Sequence, residues 1–467
     1  MAGNTAFFGT GRTGGRDATT GIIPGRCALA VGRPETPTPN NWKWTALSSV
    51  AQLESGHTPS RKHPEYWNGA VPWIGIKDAT ENHGRTIDDT HQHISQEGLN
   101  HSSARLLPAN TVCLSRTASV GYVVVMGRPM ATSQDFINWV CGPNIDPQFL
   151  KYILISETEA LWRFASGTTH QTIYYPEAKA FHVCLPPLSE QKRISHILGT
   201  LDGKIELNRR MNKTLEEMAR ALFKSWFIDF DPVVAKSEGR QPEGMDAATA
   251  MLFPDSFEDS EWGPIPKGWS SSSIGDIADV IDCLHAKKPE RAETGYLYLQ
   301  LNNIRDDGLL DLSDTFIVSE EDYRKWISRM EARAGDCVIT NVGRVGAVAQ
   351  MPDRVTAALG RNMTGIRCKP GFVYQTFLVE CLLSQAMREE IFRKTDSGTI
   401  LDALNVKSIP KLRFTKPTAE IAKRFEELAR PLRKRMEDNW RESRTLTTLR
   451  DTLLPKLLNG SCAQTLQ

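Results

Sequence analysis

The stretch CLPPLSEQKRISHILGTLDGKIELNRRMNKTLEEM, residues 184–218, sets the architecture of this chain. Pro186 and Pro187 close an irregular segment, and behind them runs a stretch with apolar residues at helical spacing. The event recurs near the C-terminus as FTKPTAEIAKRFEELARPLRKRM, residues 414–436. Self-comparison extends the match in both directions. Trp42 and Trp269, Leu47 and Ile274, Ala51 and Ala278 are separated by one common step of 227 residues. Further on, SRTASVG ending at Gly121 aligns with TNVGRVG ending at Gly346, and Cys141 with Cys368. Ser166-Gly167-Thr168 aligns with Ser397-Gly398-Thr399, and Pro187 and Glu190 with Pro417 and Glu420. An ordered series at a nearly constant offset marks a duplication.

Each half has two parts. Residues 41–187 and 264–417 alternate short apolar runs (TVCLS, GYVVVM, CVIT) with helical stretches such as TFLVECLLSQAMREEIFRK, the pattern of an α/β or α+β domain. Long helices follow at 188–230 and 418–460. From Ile194, alternating steps of four and three pass through Leu198, Leu201 and Ile205, turn polar at Asn208 and Asn212, and return through Leu215, Ala219, Leu222 and Trp226. From Ile421 the same steps give Phe425, Leu428 and Leu432, polar Arg435, Asn439 and Glu442, then Leu446, Leu449 and Leu453. Apolar seams at a 3.5-residue period predict coiled-coil pairing. Two like halves related by a twofold must run their helices in opposite directions, which sets Asn208 against Asn439 and Asn212 against Arg435. Pro431, lacking a donor N–H, is a candidate interruption. Residues 231–263, acidic and rich in Pro and Gly, read as a linker; residues 1–40 and 461–467 read as tails.

The 467 residues carry a formal charge of +1, which excludes a uniformly basic nucleic-acid binder but not local basic faces. No apolar run approaches the roughly 20 residues of a membrane span, and the N-terminus lacks a signal-peptide pattern. The nine cysteines form no C-x-x-C pair, so reduced thiols in the cytoplasm are expected. Motifs of chemistry are missing. GTGRTG at residues 9–14 fits a dinucleotide fingerprint in letters only, because RDATTGIIPGR cannot supply the helix that must follow. DGKIE at 202–206 lacks the spacing of a phosphate loop. His83, His91, His93 and His101 have no partnering Cys or H-E-x-x-H and read as loop histidines, so no metal site and no catalytic residue is expected.

These residues resemble one family. SGHTPSRKHPEYWNGAVPWIGIKD, SGTTHQTI leading into CLPPLSEQKRISHIL, FKSWFIDFDPV and LRDTLLPKLLNG are similar to segments of the specificity subunit of type I restriction-modification systems. The resemblance covers about residues 41–460, with IPKLRFTKPTAE departing from the PPL-x-EQ expected at the second junction. It implies two α/β (α+β) target-recognition domains joined by two long helices in an antiparallel coiled coil, each reading one half of a bipartite, asymmetric double-stranded DNA site. It further implies docking of methyltransferase (modification) subunits, which bind S-adenosylmethionine, and of ATP-dependent restriction subunits, which bind ATP and Mg. The chain itself would hold no cofactor. Two alternatives remain open: the recognition subunit of a related system that cuts outside its site, and a coiled-coil scaffold that binds no DNA.

Base reading needs polar groups on loops. Arg can bridge two acceptors of guanine, and Asn or Gln can bridge adenine. The candidates are Lys77, Arg116, Ser119, Gln134, His170 and Gln171 in the first domain, and Asn302, Asn303, Asn341, Arg344, Arg361 and Asn362 in the second. Ser119 and Arg344 occupy equivalent positions and differ, as expected of readers with different targets.

A helix of about 38 residues is a rod of ~57 Å, enough to hold two readers about one DNA turn, ~34 Å, apart. Four residues inserted after both Asn212 and Asn439 would lengthen it by ~6 Å, so the unspecified gap in the DNA site should grow by about one or two base pairs at ~3.4 Å each. Methylome mapping of the insertion variant checks this; an unchanged gap in an active variant means the helices do not set the spacing.

Overall fold

Alternation in the short apolar runs predicts strands, and the strands repeat in register. The structure, a computed structural model, describes residues 22–166, 171–261, 263–396 and 402–460. They fall into two compact units, drawn from residues 1–204 with 445–467 and from residues 205–444. In the first unit the main sheet orders its strands Ala51–Ser55, Phe136–Cys141, Val112–Ser115, Val123–Met126 and Thr86–Ile87, antiparallel except for the last pair. In the second the order is Ala278–Asp282, Met363–Cys368, Cys337–Thr340 and Val348–Gln350, all antiparallel. Leu53 faces Trp139 and, one repeat later, Val280 faces Ile366. Cys113 faces Asn138, and Val338 faces Gly365. A slip of one residue would turn every side chain to the other face, so equal register means equal cores. The duplication is thus a duplication of hydrogen bonds.

Each unit has a second sheet, of three strands in the first and four in the second. Trp67–Ile74 pairs antiparallel with Gln92–Ile94 and parallel with Ala131–Thr132. Tyr296–Leu299 pairs antiparallel with Phe316–Val318 and parallel with Ala357–Leu359. The helical stretch TFLVECLLSQAMREEIFRK is two helices, Gln375–Leu383 and Gln385–Arg393, because Ser384 ends one and caps the next by accepting from Met387 N at 3.2 Å.

Two 40-residue helices, Leu188–Phe227 and Ala419–Leu458, each give one end to each unit, and the second continues through Pro431. In the first unit Asp202 meets Arg450 at 3.0 Å, and Ile194 and Leu198 share a core with Leu454, Leu457 and Leu458. In the second, Phe223, Trp226 and Phe227 pack on Phe425. The second unit also holds a polar layer. Asn208 Nδ2 donates to Glu442 Oε2 at 2.8 Å and to Ser443 Oγ at 3.3 Å; Asn439 Nδ2 donates to Asn212 Oδ1 at 2.8 Å, and Asn212 Nδ2 to the Met436 carbonyl at 3.0 Å. Ascending numbers on one helix meet descending numbers on the other, so the pair is antiparallel within each unit.

Arg435, expected opposite Asn212, is exposed, and so is Leu428; Met436 takes the inward place. A straight helix repeats at 3.6 residues, so a strict 3.5-residue seam drifts off the contact face. Here the buried face runs Phe425, Ala429, Arg433, Met436, because it must also seat a recognition domain.

The seats are polar. On the first, Tyr152 Oη donates to Asp202 at 2.6 Å, with Lys151 Nζ 3.4 Å away. Burial pulls the Lys151 ammonium below its usual range, against the opposing pull of Asp202. On the second, the helix Gln375–Leu383 brings Glu380 to Arg433 at 2.9 Å, both side chains only 3% exposed, and Arg433 also donates to the Gly308 carbonyl at 2.8 Å. The junctions differ in their caps as well. Asp146 caps the helix Pro147–Ser156 locally and is held by Ser195 at 2.6 Å, whereas Glu426 reaches from the distal helix to accept from Thr376 N at 2.9 Å and Phe377 N at 3.2 Å. Gln191 of PPLSEQ bonds Asp146 N, the Asn144 carbonyl and the Pro186 carbonyl; the departing second junction buries Ile421 instead.

Two segments read as irregular are built into the fold. Within residues 1–40, the strands Ile23–Pro24 and Leu29–Val31 join the sheet through Phe181–Leu185, and the fully buried Glu157 accepts the backbone N–H groups of Arg26, Cys27 and Ala28. One carboxylate collecting several donors is a long-range contact that no local pattern announces. The 231–263 segment forms helices Asp231–Ser237 and Ala247–Leu252 and a hairpin of Phe257–Ser260 with Gly263–Pro266. Val233 and Phe253 are buried against the aromatic cluster around Trp226 and Trp269, which outweighs the acidic surface composition. No described helix is long and apolar enough to cross a membrane.

Arg433→Leu leaves Glu380 buried without its partner and should cost about 3–5 kcal/mol. The double variant with Glu380→Met should recover most of that loss in denaturant titrations.

Candidate nucleic-acid interface

In each unit one tight turn at the end of a main-sheet strand organises the loops around it. In the first unit Ser115 Oγ accepts from Tyr122 N at 2.8 Å and donates to the Ser119 carbonyl, while Gly121 N returns to the Ser115 carbonyl at 3.0 Å. In the second, Thr340 Oγ1 accepts from Ala347 N at 3.0 Å and donates to the Arg344 carbonyl, and Gly346 N returns to Thr340 at 2.9 Å. A hydroxyl at the strand end builds the same turn twice. Gly121 and Gly346 both sit at positive φ, 99° and 74°. Ala118 holds φ 59° where the second turn has Gly343 at 87°, a left-handed conformation that costs an L-residue about 1–2 kcal/mol.

Around the first turn the structure gathers Arg116, Gln134, Gln171 and Thr58. Arg116 Nε donates to the Gln134 carbonyl at 3.0 Å and its guanidinium lies 4.9 Å over the Tyr175 ring. Thr58 Oγ1 bonds Gln134 Oε1, and Ala118 N donates to the Gln171 carbonyl at 3.1 Å. Gln134 and Gln171 are exposed, and Ser119 is half-buried. Lys77 is exposed at the start of Ile76–Glu81, 3.9 Å from Glu81. His170 lies outside the described residues.

In the second unit, Asn302 and Arg361 are exposed and Asn362 stands in the left-handed region at φ 65°. Asn303 and Asn341 do other work. Asn303 is buried, accepts from Gln300 N at 2.8 Å and donates to the Asp311 carbonyl at 2.8 Å. Asn341 is buried, accepts from Thr364 Oγ1 at 2.9 Å and donates to the Leu404 carbonyl at 3.3 Å. Arg344 is tied to Asp306 and to the Ile304 carbonyl. Asn303 and Asn341 therefore cannot present their amides to a base; they hold loops in shape.

A family model described as "Type I restriction modification DNA specificity domain" matches residues 39–217. The specificity subunit of the type I restriction enzyme MjaIX of Methanocaldococcus jannaschii is 27% identical over 90% of this chain and 94% of its own length. That of HindI from Haemophilus influenzae is 26% identical over 72% of this chain and 83% of its own. The S subunit of M. genitalium superposes with a TM-score of 0.56 at 18% identity, over 91% of this chain and 98% of that one. Residues 39–217 are thus similar to a type I specificity domain, and the chain over most of its length is similar to type I specificity subunits.

The four histidines read as loop residues are satisfied separately. His91 bonds Glu81 and His93 bonds Asp89, both at 2.7 Å; His101 Nδ1 lies 3.1 Å from the Glu97 carbonyl. His83 accepts from Val123 N at 3.1 Å, and burial with the nearby Arg450 and Lys151 holds its imidazole below the usual range. Among the described residues one group, Asp282, Cys283 and His285, brings potential metal donors within 4.8 Å of one another. Asp282 already bonds His285 at 2.7 Å and Arg329 at 3.5 Å, and that guanidinium opposes a second cation. The eight described cysteines are free, and burial pushes Cys141 and Cys381 up to about 12, far from reactive thiolates.

Sequence reading passed over Thr58, Arg61, Tyr175 and Lys288. The signal for two of them was present: Arg61 and Lys288 stand at the same 227-residue step as the strands.

Asn341→Ala should cost about 1–3 kcal/mol, because it strands the Leu404 carbonyl and the Thr364 hydroxyl. Gln134→Ala, at an exposed position, should leave the melting temperature within about a degree. Thermal melts of the two variants separate loop scaffold from loop surface.

Proposed function

We propose that this chain is a type I specificity subunit that reads a bipartite, asymmetric site on double-stranded DNA, one half-site per recognition domain. One observation carries the reading: the two domains share strand register, turn and loop anchors but differ at the loop tips. Ser119 corresponds to Arg344, Gln134 to Arg361 and Lys77 to Asn302. Equal scaffolds with unequal tips suit unequal half-sites, since base edges are distinguished by donor and acceptor pattern. Exposed Gln134 and Arg361 are the foremost candidates for base contact. Phosphate contacts from the surrounding cations supply affinity that is blind to sequence.

The chain acts by positioning rather than by chemistry. Methyltransferase subunits carrying S-adenosylmethionine dock on it and act on an adenine taken out of the stack. ATP-dependent restriction subunits, using ATP and Mg, join that complex in the cytoplasm. The similarity to type I specificity subunits supports these assignments.

The purified chain is expected neither to methylate nor to cleave DNA alone. Co-expressed with a cognate type I methyltransferase subunit, it should produce adenine methylation at a single split motif. Gln134→Ala and Arg361→Ala should each relax one base position, by about 1–3 kcal/mol, in different half-sites. Methylome sequencing reads both outcomes. Methyl transfer by the isolated chain, or relaxation of both half-sites by one variant, defeats the proposal.

A further inference from the structure

In each unit one loop joins the main sheet to the second sheet, HTPSRKHPE at 57–65 and LHAKKPERAETG at 284–295. At the same step along each, a cation is seated on an aromatic ring. Arg61 lies 3.6 Å over the Trp67 ring and donates to Gln92 Oε1 at 2.8 Å. Lys288 lies 4.2 Å over the Phe316 ring and donates to Gln300 Oε1 at 2.7 Å. The construction is exchanged between the halves. In the first, the ring stands on the strand after the loop and the amide on its antiparallel neighbour, Gln92–Ile94. In the second, the ring stands on the neighbour, Phe316–Val318, and the amide follows the strand after the loop, Tyr296–Leu299. Different residues on different strands hold a cation at one place. Packing alone would not require that; a demand on the cation itself does.

Both cations are exposed, and among the described residues neither has a carboxylate partner. Each is followed or preceded by a second exposed cation, Lys62 or Lys287. Neutral seats leave the charge uncompensated while removing side-chain freedom, so a contact made from this seat loses less entropy.

We propose that Arg61 and Lys288 are matched phosphate anchors, one per reader, which fix each domain's register on the DNA backbone without reading sequence. This rests on the DNA-reading function above. Interchange of Arg and Lys between the halves fits a phosphate partner, which accepts either, and not a guanine edge, where the guanidinium fork is favoured.

The test uses the full chain in complex with its methyltransferase subunits. The probes are a duplex carrying the methylated motif and an unrelated duplex of equal length, with Kd measured against salt. Arg61→Met and Lys288→Met keep an apolar stem on the ring and remove the charge. Each should lower the magnitude of the log Kd against log salt slope by about one and weaken both duplexes several-fold, leaving the methylated motif unchanged. Arg61→Lys should retain the wild-type slope. An unchanged slope in the Met variants, an altered base preference in one half-site, or loss of slope in Arg61→Lys as well would overturn the anchor. If the wild-type complex prefers no motif at all, the DNA-reading function fails first and the anchor with it; a wild type that reads its motif with unaffected variants fails the anchor alone.

Discussion

The seating of each recognition domain on the long helices depends on a buried charge, and the two seats carry opposite signs. The first places Asp202 of the central helix under Tyr152 and Lys151, with Arg450 of the distal helix on its other side. The second places Arg433 of the distal helix under Glu380, with the Gly308 carbonyl as a further acceptor and the buried Nε left without one. Burying an ion in protein carries a penalty of several kcal/mol that only a well-placed partner offsets. Such a contact contributes little net stability, but it penalises every alternative in which the partner is missing or like-charged. A first domain set on the second seat would bring Lys151 towards Arg433, and a second domain on the first seat would bring Glu380 towards Asp202. The duplicated domains share a fold, yet their seats are not interchangeable.

Much of this was legible in the sequence because duplication and periodicity are both local arithmetic. Trp42 and Trp269, or Cys141 and Cys368, needed only counting, and the strands between them repeat in register. The long helices were legible from their seams, and the central one follows its seam closely from Ile194 to Trp226. The distal helix departs from its seam because its inward face answers to two neighbours, and Arg433, a charged residue, is buried where a heptad count expects an exposed one. What sequence concealed were contacts between distant residues. Nothing near Arg26 or Ala28 announces Glu157, and nothing in the acidic run after Asp231 announces the ring cluster that receives Phe253.

The candidate interface was harder for the same reason. Asn, Arg and Gln on loops serve equally well as readers of bases and as braces of backbone. Only three-dimensional bonding separates Asn341, whose amide is consumed at both ends, from Gln134, whose side chain stands exposed beside Thr58. Chemistry and position were visible, but the satisfaction of each donor and acceptor was not. The positive φ of Ala118 belongs to the same class: the first turn keeps an alanine where the second has glycine, so at this turn the strain sits in the first reader.

The polar layer of the helix pair follows the logic of the seats. An all-apolar seam would associate more tightly, but it would tolerate slippage by a turn, because Leu packs on Leu at any register. Asn208, Asn212 and Asn439 forfeit apolar burial, and each donates across to the other helix only in the observed register. A shift by one turn would set these amides against apolar side chains and leave them unpaired, at about 1–3 kcal/mol for each stranded group. Register and seat are thus fixed by one principle. Groups too polar to be buried alone are buried only where the correct partner waits, so in each unit the arrangement of helix on helix and of domain on helix is specified by what every other arrangement would leave unsatisfied.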